Sequence, residues 1–296
     1  MRKLLLYILP NSVIDFYKKR KKNSRLKKRE QLFNQNKIVT KQTIIKQLKS
    51  NGISEGDSIL LHSSLSKIGF VEGGAETVIN AFIDTIGFKG TLVMPAFPGM
   101  GFNYDYLKTN PVFDFKHTPS KMGIITEEFR KMNGVKRSFH PTDSVCALGF
   151  HAEEITNSHF NQITPYNFNS PFFKLCQLNG KIVLIGVDLN SLTNFHTIED
   201  AVENFKFPIY HKELFQTQLI DENGVMKTMQ TKVHNPEWSK KRKCNDFIKL
   251  FENAGFLKHF TLGNAHCMII NAYEMHSWMI ENYESKGVSL YTPQGS

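Results

Sequence analysis

Residues 181–205 read KIVLIGVDLNSLTNFHTIEDAVENF. The first seven form a near-continuous apolar run bounded by Gly180 and a polar loop, the pattern of a strand buried on both faces. From Phe195 the spacing of apolar residues turns helical. A buried strand that passes through a polar loop into a helix is the crossover unit of a parallel α/β sheet. It places His196 and Glu199, at i and i+3, on one helical face at the mouth of that crossover. On these residues alone His196 can be a cap, a core residue or a base.

The same alternation continues outward in both directions. KQTIIKQLKSNGI (41–53) has the spacing of an amphipathic helix stopped at Asn51-Gly52, and DSILLHSSL (57–65) that of a buried strand ending in polar residues. GGAETVINAFIDTIG (73–87) predicts a helix, GTLVMPAF (90–97) a strand, PSKMGIITEEFRKM (119–132) a helix and SVCALG (144–149) a strand. Residues 209–235 predict a β-hairpin turning at Glu222-Asn223-Gly224. NDFIKLFENAG (245–255) and NAHCMIINAYEMHSWMIENY (264–283) add a helix, a strand and a closing helix. The expected fold is α/β: a mostly parallel central sheet covered by helices on both faces, with the hairpin as an insertion.

The 296 residues are 41% hydrophobic and 22% charged, ordinary for a globular protein. The net charge of +10 is not spread over the chain. Residues 1–30 hold eleven Lys/Arg against Asp15 and Glu30, leaving 26 basic and 25 acidic side chains for the other 266 positions. The apolar run Leu4 to Pro10 is far short of the roughly twenty residues a membrane span needs. It precedes nine Lys/Arg within twelve residues, a combination that suits either an interfacial anchor on anionic lipid or a solvated leader. Residues 1–37 are therefore expected to form a basic amphipathic leader, and residues 38–296 a single catalytic domain. Few aromatics lie among those charges, so nucleic acid is not the expected partner. Cys146, Cys176, Cys244 and Cys267 are scattered without a C-x-x-C pair, which fits a reducing cytoplasm. The expected location is cytoplasmic, at the inner face of the membrane if the leader anchors.

Three polar clusters fall where an open α/β sheet binds ligands, beyond the carboxyl ends of strands. The first is His62-Ser63-Ser64-Leu65-Ser66, whose hydroxyls and backbone N–H groups suit phosphate or a polar chain, though it is no P-loop. The second is His117-Thr118-Pro119-Ser120-Lys121-Met122. Thr118 is the expected N-cap and Pro119 the first helical residue, making an anion site at a helix start. Arg137 and Ser138 add a cation and a hydroxyl nearby in sequence. The third is His196 with Glu199, a neutral imidazole that a carboxylate can orient as a base. No G-x-S-x-G and no H-E-x-x-H is present, so no metal is expected.

Taken together, LLHSSLSKIGFVEGGAETVINAF, GTLVMPAF, FDFKHTPSKMGIITEEFRKMNGVKRSFHPTDSVCALG, SPFFKL, GKIVLIGV and TNFHTIE resemble the aminoglycoside 3-N-acetyltransferase family, an acyltransferase family distinct from the GNAT fold. The resemblance spans about residues 40–280. It implies transfer of acetyl from acetyl-CoA to a primary amine of a sugar-like acceptor in a direct ternary complex. It places the general base at His196 and the CoA contacts at Ser63, Ser64, Leu65 and Ser66 and at Ser120, Lys121 and Met122, with Arg137 and Ser138 beside them. Glu199 is expected to support His196, with Asp200 and His234 as alternatives. Asp200, His234 and Lys240 are the expected acceptor contacts.

One segment departs from the family pattern. Members that modify drugs carry an acidic E-D-x-D-like stretch after the hairpin; here TKVHNPEWSKKRKCND (231–246) replaces it with His234 and a basic run at 240–243. A basic wall suits an anionic acceptor, so the expected substrate is a nucleotide-linked amino sugar or glycan precursor of surface-polysaccharide biosynthesis. The alternatives are an aminoglycoside-resistance enzyme and a catalytically silent membrane- or nucleic-acid-binding protein on the same fold.

Overall fold

A computed structural model describes residue 20 and residues 38–295 of the chain. The expectations for the leader, residues 1–37, fall outside these except at position 20. Twelve strands are described: β1 (Ile38–Val39), β2 (Ser58–Ser63), β3 (Phe70–Val71), β4 (Thr91–Pro95), β5 (Val112–Asp114), β6 (Lys136–Arg137), β7 (Val145–Gly149), β8 (Lys181–Ile185), β9 (Phe215–Ile220), β10 (Met226–Thr231), β11 (Leu257–Leu262) and β12 (Ala265–Asn271). Seven form the central sheet in the order β11-β12-β8-β2-β4-β7-β6.

The heart of that sheet, β8-β2-β4, is parallel. Its flanks, β12 and β11 on one side and β7 and β6 on the other, run antiparallel to their neighbours. Alternation along each strand feeds two cores. Leu60, Val93, Ile182, Leu184, Met268 and Ile270 point to one face, while Ile59, Leu61, Leu92, Met94, Val183 and Ile185 point to the other. A strand buried on both faces has no polar positions to spare, which is why these stretches read as unbroken apolar runs.

The expected helices form at Lys41–Ser50, Ala75–Ile86, Phe247–Ala254 and Ala272–Lys286. The first is capped by the Thr40 hydroxyl, which accepts from Thr43 N at 3.2 Å, and the last by Asn271, which accepts from Glu274 N at 2.9 Å. No helix among the described residues is long and apolar enough to cross a membrane.

Three elements differ from expectation. The helix expected over 119–132 spans only Ile124–Arg130. Gly123, at φ +113°, precedes it in a conformation that breaks helical continuity, so Thr118 and Pro119 lie in a loop. The Thr118 hydroxyl accepts from Asp114 N at 2.7 Å instead of capping a helix. The helix after β8 is a 3₁₀ turn, Thr193–His196, followed by a short α-helix, Thr197–Ala201. It ends where Val202 becomes extended and Asn204 turns to φ +53°. Strand β11 was not foreseen. It hairpins onto β12 through Gly263-Asn264, where a side chain on Gly263 (φ +58°) would sit 2.3 Å from the Ile68 carbonyl oxygen.

The hairpin expected over 209–235 is β9–β10, turned by Asp221, whose carboxylate accepts from Asn223 N and Val225 N, both at 2.9 Å. With β5 it makes a separate three-stranded sheet.

Candidate active site

The carboxyl ends of β2 and β4 and the loop after β8 open onto one cleft of about 410 Å³. His62, Ser63, Asp143, His196, His234 and Arg242 stand in its wall. The 3₁₀ turn delivers His196. It is held by Asn194, whose Nδ2 donates to Phe172 O at 2.8 Å, and by Thr197, whose hydroxyl donates to Asn194 O at 2.8 Å.

Glu199 is wholly buried behind His196 and is the centre of the arrangement. One of its oxygens, Oε2, accepts from His196 Nδ1 at 2.9 Å and from His234 Nε2 at 2.8 Å. The other, Oε1, accepts from the Tyr291 hydroxyl at 3.1 Å. Burial alone would raise the Glu199 pKa, but the two imidazoles facing it outweigh that and hold the carboxyl well below the usual range. His196 moves down, mainly by burial, with Glu199 pulling the other way. His234 is pushed down to about 4 by burial and by its neighbour His196. Both rings are therefore neutral at pH 7. An ionised carboxylate can only accept, so the protons sit on His196 Nδ1 and His234 Nε2. That leaves His196 Nε2 with a free lone pair, the state a base requires.

Aromatic rings fix the pair. The His234 ring lies between Tyr210 (centroids 5.0 Å, 6° between planes) and Tyr166 (5.3 Å, 18°), and Tyr166 also packs on His196 at 4.9 Å. Tyr166 in turn donates its hydroxyl to Asp143 Oδ1 at 2.7 Å. Asp143 is buried in the cleft wall, accepts from Thr142 Oγ1 at 2.6 Å and Asn103 Nδ2 at 3.1 Å, and has its pKa raised by that burial.

The structure brings some of the expected site residues to or near this cleft. Ser63 and Met122 line the cleft. Ser64 and Ser66 lie beside them with hydroxyls 3.3 Å apart, and Leu65 opens the short helix Leu65–Ile68. The Ser120 hydroxyl accepts from Met122 N at 3.2 Å, fixing that loop, and the Ser120 N–H donates to Glu127 at 2.8 Å. Lys121 is exposed, its N–H bonded to Phe97 O. Lys240 stands at the rim, 5.8 Å from the ring centroid of Phe102, a cleft residue.

Others are not where the sequence suggested. Arg137 and Ser138 offer nothing to an anion. Pairing of β6 with β7 turns Arg137 inward, where it donates to Thr118 O (2.6 Å), Ala96 O (3.1 Å), Phe115 O (3.2 Å) and Ser144 Oγ (3.3 Å). Ser138 is fully buried against His159 Nδ1 at 3.0 Å. Asp200 is absent from the cleft wall. It accepts from Tyr166 N at 3.3 Å, and burial raises its pKa to about 6.

The sequence reading missed Asp143, which lies within one of the quoted blocks but was given no role, and Tyr166 and Tyr291, which lie in none of them and meet the site only through the fold. It named His62 without a role and Arg242 only as part of a basic run. His196, Glu199 and His234 also offer three donor atoms within 4.8 Å, a set that could hold a metal ion. Hydrogen bonds among the three already satisfy them, so the set does not demand one.

The cleft at the ends of the parallel strands thus presents an imidazole with a free lone pair, backed by a buried carboxylate. Residues 60–284 match the family model described as aminoglycoside 3-N-acetyltransferase, and the chain belongs to that family. It is thus an acyltransferase by family, with acetyl-CoA as cosubstrate. The chain is 32% identical over 280 residues to the SPbeta prophage-derived aminoglycoside N(3')-acetyltransferase-like protein YokD of Bacillus subtilis, covering 84% of this chain and 95% of that one. The crystal structure of YokD superposes with a TM-score of 0.69 over 84% of this chain and 96% of that one, at 31% identity. Two more distant structures share the fold. AAC-IIIb, solved as a binary complex with CoASH, has a TM-score of 0.70 at 22% identity, covering 83% of this chain and 97% of that one. AAC-VIa bound to sisomicin has a TM-score of 0.70 at 23% identity, with the same coverage.

Proposed function

We propose that this protein transfers the acetyl group of acetyl-CoA to a primary amine on an amino sugar of the aminoglycoside type, with His196 as general base. Family membership and the His196–Glu199 pair at the end of the parallel strands support this reading. The observation that carries it is the shared Glu199 oxygen, which fixes the tautomer of both imidazoles and leaves His196 Nε2 free.

The chemistry follows from that state. A sugar ammonium gives up one proton to solvent on entering the cleft, and as its nitrogen lone pair attacks the thioester carbon, His196 Nε2 takes a second proton from that nitrogen. The imidazolium formed is stabilised by Glu199 through Nδ1–H, a charge-assisted hydrogen bond in a buried setting. The tetrahedral intermediate collapses with cleavage of the C–S bond, and the proton held on His196 passes to the departing thiolate. Ser63 and the Ser120–Met122 loop hold CoA in this reading. Asp143 accepts from a further ammonium of the acceptor, and His234 and Lys240 border it. Asp200 acts on the acceptor only indirectly, through Tyr166.

The surface-polysaccharide precursor preferred on sequence grounds finds no support among these relatives; the aminoglycoside alternative does. CoA thiol release from acetyl-CoA, followed with sisomicin as acceptor, tests the proposal. Acceptor-dependent release is the expected result, and none with any amino sugar offered would remove it.

A further inference from the structure

Arg242 is the one cation set into the cleft wall among the described residues. It follows the short helix Pro236–Ser239, in the segment where the acidic E-D-x-D-like stretch is missing. Its side-chain Nε and Nη2 are covered from solvent and have no hydrogen-bond partner. These are the two N–H groups of one guanidinium edge, the fork that matches a carboxylate or phosphate in bidentate fashion. A buried donor without a partner is costly, and here two stand side by side.

The neighbouring acids do not answer them. Both Glu199 oxygens are taken by His196, His234 and Tyr291, and Asp143 is occupied by Thr142, Tyr166 and Asn103. Of the other basic residues of the run, Lys241 lies over Trp238 at 4.2 Å and Lys240, at the rim, lies 3.6 Å from Glu237. Burial pulls the Arg242 pKa down, but the charge of Glu199 and a side-chain hydrogen bond shared with Tyr291 outweigh it and keep the guanidinium protonated. With two neutral imidazoles beside it, a guanidinium with two unpartnered N–H groups meets an anion best.

We infer that Arg242 is a recognition site for a carboxylate or phosphate carried by the acceptor close to the amine that is acetylated. This rests on acetyl transfer at His196 and makes an amino sugar bearing both charges the favoured acceptor, with Asp143 toward its ammonium and Arg242 toward its anion. The flexible arginine side chain turns its open edge into the cleft when such a group arrives. CoA also carries phosphates, but the pantetheine arm keeps them away from the thioester. Arg242 lies beside the base, close enough for its charge to reach His196, His234 and Glu199.

The test uses the full chain and two matched acceptors, glucosamine 6-phosphate and glucosamine, with binding measured by calorimetry and turnover by CoA release. The wild type is expected to bind the phosphate-bearing sugar at least tenfold more tightly. Arg242→Gln is expected to bring that ratio close to one, and Arg242→Lys to fall between. Equal binding of both sugars by the wild type overturns the inference. So does a ratio unmoved by Arg242→Gln, or a loss that appears in the KM for acetyl-CoA in place of the acceptor. Absence of turnover with either sugar and with sisomicin would strike the acetyl-transfer reading, while the binding ratio still decides Arg242. A variant that fails to fold shows itself by its thermal transition, and Arg242→Lys then carries the comparison.

Discussion

Glu199 takes three hydrogen bonds on two oxygens, and its substitution by Gln separates charge from shape. An amide has one accepting oxygen and one donating nitrogen, so one of the two histidines must change tautomer or lose its partner. Glu199→Gln is expected to lower kcat by roughly 10²-fold or more, the scale on which misplaced general bases fail. The pH dependence carries its own sign. His196 acts when neutral and its pKa lies below the ordinary 6.5, so the acid limb of kcat/KM belongs below that value. Glu199 raises the His196 pKa, so its loss should move the limb further down. An acid limb moving up in Glu199→Gln would contradict the assignment. At this scale the sequence was informative where chemistry follows local spacing. His196 and Glu199 share one turn, so their pairing was legible, whereas His234, 35 residues beyond Glu199, was named as a contact without its hydrogen bond to Glu199. Asp143 and Tyr291 reach the site by tertiary folding alone, and no spacing announces them.

The loop before Ile124 shows what an element can conceal. Thr-Pro-Ser reads as a helix start, but Gly123 in its positive-φ conformation cuts the helix short. The anchoring then falls to Arg137, which reaches this loop from β6 by donating to Phe115 O and Thr118 O while also binding Ala96 O behind β4. Arg137→Met is expected to cost about 3 kcal/mol or more, from several hydrogen bonds to a charged donor. It should also raise the KM for acetyl-CoA, because Ser120 and Met122 lose their support. Urea unfolding and acetyl-CoA titration check the two parts; a destabilised variant with an unchanged KM would detach Arg137 from the CoA loop. The long helices and the β8-β2-β4 strands were legible because their apolar periods are sustained. β11 was not, since LKHFTL buries Leu257, Phe260 and Leu262 without strict alternation.

At the scale of the whole molecule, buried imidazoles set the response to acid. His62 is pushed down to about 4 and His159 to about 3, mainly by burial; His140, stacked on His159 at 4.4 Å, also lies well below 6.5. His196, His234 and His276 move the same way. Each folded pKa lies below its unfolded value, so from pH 6.5 toward 4 the unfolded chain binds more protons. Stability is complete above 6.5 and lost as pH falls. Asp143 and Asp200 are shifted up and act in the opposite sense, losing stabilisation as pH rises from about 4, for Asp200 through about 6. Six histidines against two aspartates predict a Tm that falls between pH 7 and pH 5. A Tm that is flat or rises over that interval would show that these rings are not buried neutral.

The central claim is that His196 takes the proton in acetyl transfer, and one comparison meets it directly: the rate of acceptor-dependent CoA release for the wild type and His196→Ala, at saturating acetyl-CoA and equal thermal stability. The account predicts that the substitution lowers kcat by roughly 10²–10⁴-fold. A variant that keeps the wild-type rate would contradict it.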